Sequence, residues 1–212
     1  MIKIVKDNLK YILSIISIVI IFFLIYKSPF YKNILEFDLM IADFISTIRN
    51  QNFTLIFNLF TFIGDFYIPV LIIMCIILVM KNNYFAYALG SSYLLSGAVA
   101  FVTKFIIDRP RPLSPIVEIP DPYSFPSGHT LTSFVFWISL WYVMTLHSKN
   151  RMKNISGIIF GLVVVMIAFS RLYLGVHYFS DIMGALILGY PCILMLKNII
   201  NSNYKKNLKK VC

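Results

Sequence analysis

Residues 170–196 read SRLYLGVHYFSDIMGALILGYPCILML, and this stretch decides the fold. From Phe179 to Leu196 the only charged residue is Asp181. So apolar a run reads as a helix crossing a bilayer, whose hydrocarbon core takes about 20 helical residues to span. An ionisable group inside such a run is unfavourable in lipid and by default points to function. Five further apolar runs precede it: Tyr11–Tyr26, Phe66–Met80, Tyr84–Thr103, Leu131–Leu146 and Ile155–Phe169. All are too unbroken for amphipathic surface helices. The chain of 212 residues is 59% apolar and 13% charged, with a mean hydropathy of +0.81, which excludes an ordinary soluble domain. The expected fold is all-α: residues 1–212 as one integral membrane domain, a bundle of six transmembrane helices without internal repeats.

The formal charge of +10 does not point to nucleic acid, because the basic residues fall between apolar runs and not in one patch beside stacking aromatics. Their distribution predicts orientation. Lys3, Lys6 and Lys10 precede the first span and Lys81 follows the second. Lys149, Arg151 and Lys153 separate the fourth and fifth, and Lys197 with Lys205, Lys206, Lys209 and Lys210 ends the chain. Glu36, Asp38, Asp43, Asp65, Asp108, Glu118, Asp121 and Asp181 lie in the opposite connections, against Lys27, Lys32, Arg49, Lys104, Arg109, Arg111 and Arg171. Positively charged loops stay cytoplasmic. Both termini are therefore expected inside the cell membrane, and residues 27–65, 104–130 and 170–178 outside it. Lys27-Ser28-Pro29-Phe30 offers no small-x-small cleavage site, so the first run reads as a retained anchor. Cys75, Cys192 and Cys212 suggest neither a disulfide framework nor a zinc site. In 34–48, Leu35, Leu39, Ile41, Ala42, Ile45 and Ile48 interleave with Glu36, Asp38 and Asp43. This is the pattern of an interfacial helix on the outer side, one that packs over the bundle or guides lipid.

Three polar clusters carry chemistry. Lys104 leads into Asp108-Arg109-Pro110-Arg111-Pro112, where prolines stop the helix. Arginines suit phosphate through paired hydrogen bonds and lysine as a point charge; Arg109 either joins them or pairs locally with Asp108. Pro126-Ser127-Gly128-His129 opens the fourth span. There Ser127 and Gly128 can present backbone N–H groups at a helix N-terminus, or simply begin a helix. In the third cluster, Ser170-Arg171 precedes His177 and Asp181, which are four apart and so share a helix face. Asp181 can fix the imidazole tautomer and leave the other nitrogen as an oriented nucleophile. His147, in a basic loop, reads as an ordinary surface residue.

Together the clusters give Lys-x6-Arg-Pro, Pro-Ser-Gly-His and Ser-Arg-x5-His-x3-Asp across Lys104 to Asp181. This resembles the type 2 phosphatidic acid phosphatase superfamily, strongly over 104–181 and in architecture alone over the first two spans. Within it, the chain is similar to bacterial members acting on phosphatidylglycerophosphate or undecaprenyl pyrophosphate. The resemblance implies a lipid phosphatase in which His177 attacks phosphorus, Asp181 orients it, and His129 protonates the leaving oxygen and then activates water. Lys104, Arg111, Ser127, Gly128 and Arg171 would hold the phosphoryl oxygens. It implies no cofactor and no metal, in keeping with the scattered acids. The implied partners are the bilayer, a membrane lipid phosphate and water. Two other readings share these residues: a lipid phosphotransferase, distinguished by its product, and a lipid-phosphate binder, which would not need two histidines. Vanadium haloperoxidases have a similar anion pocket but are soluble. The sequence fixes neither head group nor oligomeric state; Leu113 to Phe125 is expected to lie over the pocket through Tyr123 and Phe125, and Gly64-Asp65 to cap a helix or line lipid entry.

Overall fold

The structure, a computed structural model, describes residues 2–79, 84–119, 121–146 and 150–208. His147, Lys81, Lys149 and the chain end from Lys209 to Cys212 lie outside the described residues, and with them the surface reading of His147. Eight helices are described: α1 (Ile2–Lys27), α2 (Tyr31–Thr47), α3 (Gln51–Ile63), α4 (Tyr67–Val79), α5 (Tyr84–Ile107), α6 (Gly128–Met144), α7 (Asn150–Tyr173) and α8 (Phe179–Leu208).

Four of them, α1, α5, α7 and α8, are long and apolar enough to cross a membrane; a fifth crossing arises if α3 and α4, bent by 43° at their break, count as one span. The second expected span, 66–80, is thus only the α4 half of a broken pair. Its other half, α3, lies in what reads from sequence as an outside connection. The break falls at Gly64, where a Cβ would come within 2.6 Å of Ile167 Cγ2, and the Ser133 hydroxyl donates to the Gly64 carbonyl at 3.3 Å. Helix α6 has 17 residues, about 26 Å at 1.5 Å per residue.

Helix α8 packs against α6, α5 and α1, α6 bridges α5 and α7, and α3 lies along α7. Leu131, Val135, Leu188 and Ile193 form a core into which Phe125 is driven. Large apolar side chains also face outward all around, such as Leu78 at 81% exposure, as expected of a protein whose solvent is lipid. The helices extend past their apolar runs, so Lys104 ends α5, Arg171 ends α7 and Asp181 begins α8. That continuation delivers the polar groups to helix ends.

Phe125 is fully buried, edge-on to Phe22 with centroids 4.9 Å apart. It does not cover a pocket as the sequence suggests; its ring occupies the space that a Cβ at Gly184 would need. Gly184→Ala should therefore destabilise the bundle by about 1–3 kcal/mol through overpacking, read as a lowered thermal midpoint in detergent.

Candidate active site

Helix α5 ends at Asp108, whose φ of 52° turns the chain sharply. The following loop is held by a Pro110–Tyr123 bridge and by the Ser124 amide donating to the Arg109 carbonyl at 2.8 Å. Ser127 then caps α6, its hydroxyl accepting from the Thr130 amide. Between these elements lies a cavity of about 300 Å³ lined by Lys104, Arg111, Gly128, His129, Arg171 and His177, with Asp65, Asp121 and Thr132. Phe66, Tyr93, Gly97 and Phe101 form its apolar side. Three sequence clusters separated along the chain thus meet in one chamber.

His177 sits in the α7–α8 turn. Gly175 makes that turn possible with a φ of +72°, and a side chain there would strike Arg49 and the Ser114 carbonyl. Arg49 itself binds the carbonyls of Tyr173 at 2.9 Å and Ser114 at 3.0 Å. His177 Nδ1 is 3.5 Å from Asp181 Oδ2, beyond a formed hydrogen bond, and Nε2 is 3.3 Å from Arg111 Nη1. A guanidinium only donates. Nε2 is thus the lone-pair nitrogen, which leaves the proton on Nδ1, facing Asp181. Burial pushes the His177 pKa down to about 4, with Arg171 and Arg111 adding to it against the opposing pull of Asp181. The ring is neutral at physiological pH.

Asp181 is completely buried. Its Oδ2 accepts from the Tyr178 amide at 2.8 Å and its Oδ1 from Arg109 Nη1 at 2.6 Å. Arg109 neither faces the cavity nor pairs with Asp108, the two options its sequence context suggests. It is buried, donates to Asp38 Oδ2 through Nη2 at 2.7 Å and stacks on Tyr178 with its guanidinium carbon 4.1 Å from the ring centre. Tyr26 and Tyr31 hydroxyls accept from it at 3.1 and 3.2 Å. Asp38 also takes the Ser180 amide at 2.9 Å and the Ser180 hydroxyl.

The other cations open onto the chamber. Lys104 donates to both Asp121 carboxylate oxygens, each at 2.9 Å, and Arg111 Nη1 also donates to the Val176 carbonyl at 2.8 Å. Arg171 Nη1 donates to Thr61 at 3.1 Å, while its Nε is buried without a partner among the described residues. Ser127 lies behind the cavity: it is fully buried and its amide donates to the Asp181 carbonyl at 3.3 Å. A Cβ added at Gly128 would meet nothing within 4 Å.

Three participants escape a reading by motif: Asp38, Asp121 and Thr61. Asp38 left a trace. Residues 31, 34, 38, 41 and 45 share one face of α2, so an acid stands in that helix's inward stripe.

Residues 85–205 match the PAP2 superfamily, and the chain belongs to that superfamily. It is similar to phosphatidylglycerophosphatase B of Bacillus subtilis, 33% identical over 99 residues that cover 45% of this chain and 48% of the relative. It is also similar to undecaprenyl-diphosphatase of Sulfolobus acidocaldarius, 30% identical over 104 residues covering 46% of this chain and 47% of that one. The aligned segment spans about half the length of these curated relatives. In fold it resembles the crystal structure of a transmembrane PAP2 type phosphatidylglycerolphosphate phosphatase from Bacillus subtilis. That match has a TM-score of 0.75 at 22% identity, with 95% of this chain and 98% of that one covered. Aquifex aeolicus LpxE follows at a TM-score of 0.60 and 25% identity, with 75% and 94% covered.

Removing one partner of a buried ion pair leaves an uncompensated charge, which costs about 3–5 kcal/mol. Arg109→Met should accordingly depress the detergent unfolding midpoint far more than Arg49→Met, whose partners are neutral carbonyls. Equal midpoints for Arg109→Met and wild type would refute the claim that this cluster holds α2 to the bundle.

Proposed function

We propose that this protein is a membrane lipid phosphatase that hydrolyses a phosphomonoester or pyrophosphate of a lipid through a phosphohistidine on His177. The observation that carries the reading is the convergence of His129 and His177 on one cavity with Lys104, Arg111 and Arg171. Membership of the PAP2 superfamily and the names of the similar proteins support the substrate class.

In the first step the lone pair of His177 Nε2 forms a bond to phosphorus while the bond to the lipid oxygen breaks, and His129, which takes up a proton together with the arriving phosphate anion, gives it to that oxygen. Asp181 steadies the positive charge that develops on the His177 ring. His129 then takes a proton from water, the resulting hydroxide attacks phosphorus, and the N–P bond breaks to release phosphate. Lys104, Arg111, Arg171 and the Gly128 amide at the N-terminus of α6 stabilise the equatorial oxygens. Ser127 acts by holding that helix end in place. No metal or cofactor enters these steps.

In the bilayer, α3 with α4 forms one broken crossing and α6 a short one, completing six spans. The cavity and α2 lie at the outer face and both termini inside, as the lysine distribution supports.

Purified protein should release inorganic phosphate from lipid phosphates with chelator present, and orthovanadate, a mimic of five-coordinate phosphorus, should inhibit it. His177→Ala should abolish release and His129→Ala lower it by about 10²–10⁴. Undiminished release by His177→Ala would remove the nucleophile. For orientation, Leu113→Cys, at a position almost fully exposed at 99%, should react in intact cells with a membrane-impermeant maleimide once the other cysteines are replaced by serine. Protection until lysis would invert the topology.

A further inference from the structure

Asp121 stands apart from the other acids near the site because the cavity's own cations hold it. Lys104 Nζ donates to both of its carboxylate oxygens at 2.9 Å, and Arg111 Nη2 donates to Oδ2 at 3.0 Å. A carboxylate offers a point charge and a guanidinium fork much the same pair of oxygens as a phosphoryl group does. We propose that Asp121 is a built-in competitor for the phosphoryl group: its carboxylate takes donor positions on Lys104 and Arg111 that phosphate requires, and so sets the affinity for substrate and for the phosphate product. The inference rests on reading the cavity as a phosphoryl site.

Two features separate a competitor from a brace. The cations have anchors that do not involve the carboxylate. Lys104 also donates to the Tyr123 carbonyl at 3.1 Å, and Arg111 to the backbone carbonyls of Asp121 at 2.7 Å and Val176 at 2.8 Å. Losing the negative charge therefore leaves both side chains in place. The Asp121 side chain is also 37% exposed, so it can swing into solvent when a phosphate arrives, whereas Asp38 and Asp181 are enclosed. Burial raises the Asp121 carboxyl, but the Lys104 hydrogen bond and the charges of Lys104 and Arg111 outweigh it and hold it below the usual carboxylate range. The competitor is thus charged at neutral pH. Its return to Lys104 and Arg111 would also help a bound phosphate to leave.

The discriminating variant is Asp121→Asn, which keeps an oxygen to accept the Tyr123 amide, now 3.1 Å from Oδ1, removes the charge and turns the acceptor facing Arg111 into an amide donor. Full-length protein in detergent is titrated calorimetrically with inorganic phosphate, and KM and product inhibition are measured on a lipid phosphate. Asp121→Asn should bind phosphate about tenfold more tightly, the scale of one charge a few ångströms away in a half-solvated site. KM and the product-inhibition constant should fall with it, kcat should not rise, and the charge-retaining Asp121→Glu should stay near wild type. Equal or weaker phosphate binding by Asp121→Asn would make Asp121 a brace and overturn the proposal; if Asp121→Asn does not fold, Asp121→Ser is read in the same way. Because binding is measured without turnover, the two readings fail separately. Tighter phosphate binding in a protein that hydrolyses no lipid phosphate sinks the phosphatase, and hydrolysis with unchanged phosphate affinity sinks the competitor.

Discussion

A guanidinium enclosed by protein must be neutralised and fully hydrogen-bonded, because each buried ion left unpaired is destabilising by several kcal/mol. Arg109 meets that demand with Asp38 and Asp181, whose side chains are, like its own, all but inaccessible, with the faces of three tyrosines and with the hydroxyls of two of them. Its partners come from α1, α2, the turn before α8 and the start of α8, while Arg109 itself belongs to the 108–127 loop, so the cluster ties these pieces together. Asp181, one of its members, stands behind the His177 ring with Oδ2 3.5 Å from Nδ1. Asp38 matters here as well. It takes the second terminal nitrogen of Arg109, so that one guanidinium bridges both buried carboxylates.

The same loop sends two arginines in opposite directions. Arg109 turns inward and is consumed by structure, whereas Arg111 faces the chamber, anchored by two backbone carbonyls and paired with the half-exposed Asp121. The loop parts the two within three residues. For Arg171 the hydrogen-bond partner is the neutral Thr61, and its Nε is unpaired among the described residues.

Much of this was legible in the sequence, and what was not has identifiable causes. His129, His177, Lys104, Arg111 and Arg171, picked out by residue type and by their place at the ends of apolar runs, do meet at one cavity, but His177 lies in the turn before α8 and not on the helix face that its spacing from Asp181 suggests. Arg109 could not be told from Arg111, since its fate depends on the φ of Asp108 and on Asp38, 71 positions away. Helix α3 escaped notice for another reason. Its inward face carries Thr54, Phe57 and Thr61, which meet Tyr173 and Ser170 of α7, while its outward face is apolar. A helix with polar groups inside and Leu55, Leu59 and Phe62 outside inverts the soluble pattern and is masked when read for an apolar core stripe.

The cavity itself is divided by chemistry. Its cationic side is built from residues at helix ends, where apolar runs stop and lysine, arginine and histidine become tolerable. Its other side is the face of α5 carrying Tyr93, Gly97 and Phe101, together with Phe66 at the start of α4. Phe66 and Phe101 are 54% and 63% exposed on the outside of the bundle. The α3–α4 break brings Phe66 to this side, and at the break Gly64 packs so closely on Ile167 that a side chain would not fit. A chamber with charge at one end and an open aromatic flank at the other is complementary to an amphiphile entering from the side. On the function proposed above, that flank would lie along the hydrocarbon of the lipid, and a freely soluble phosphate ester would leave it unused.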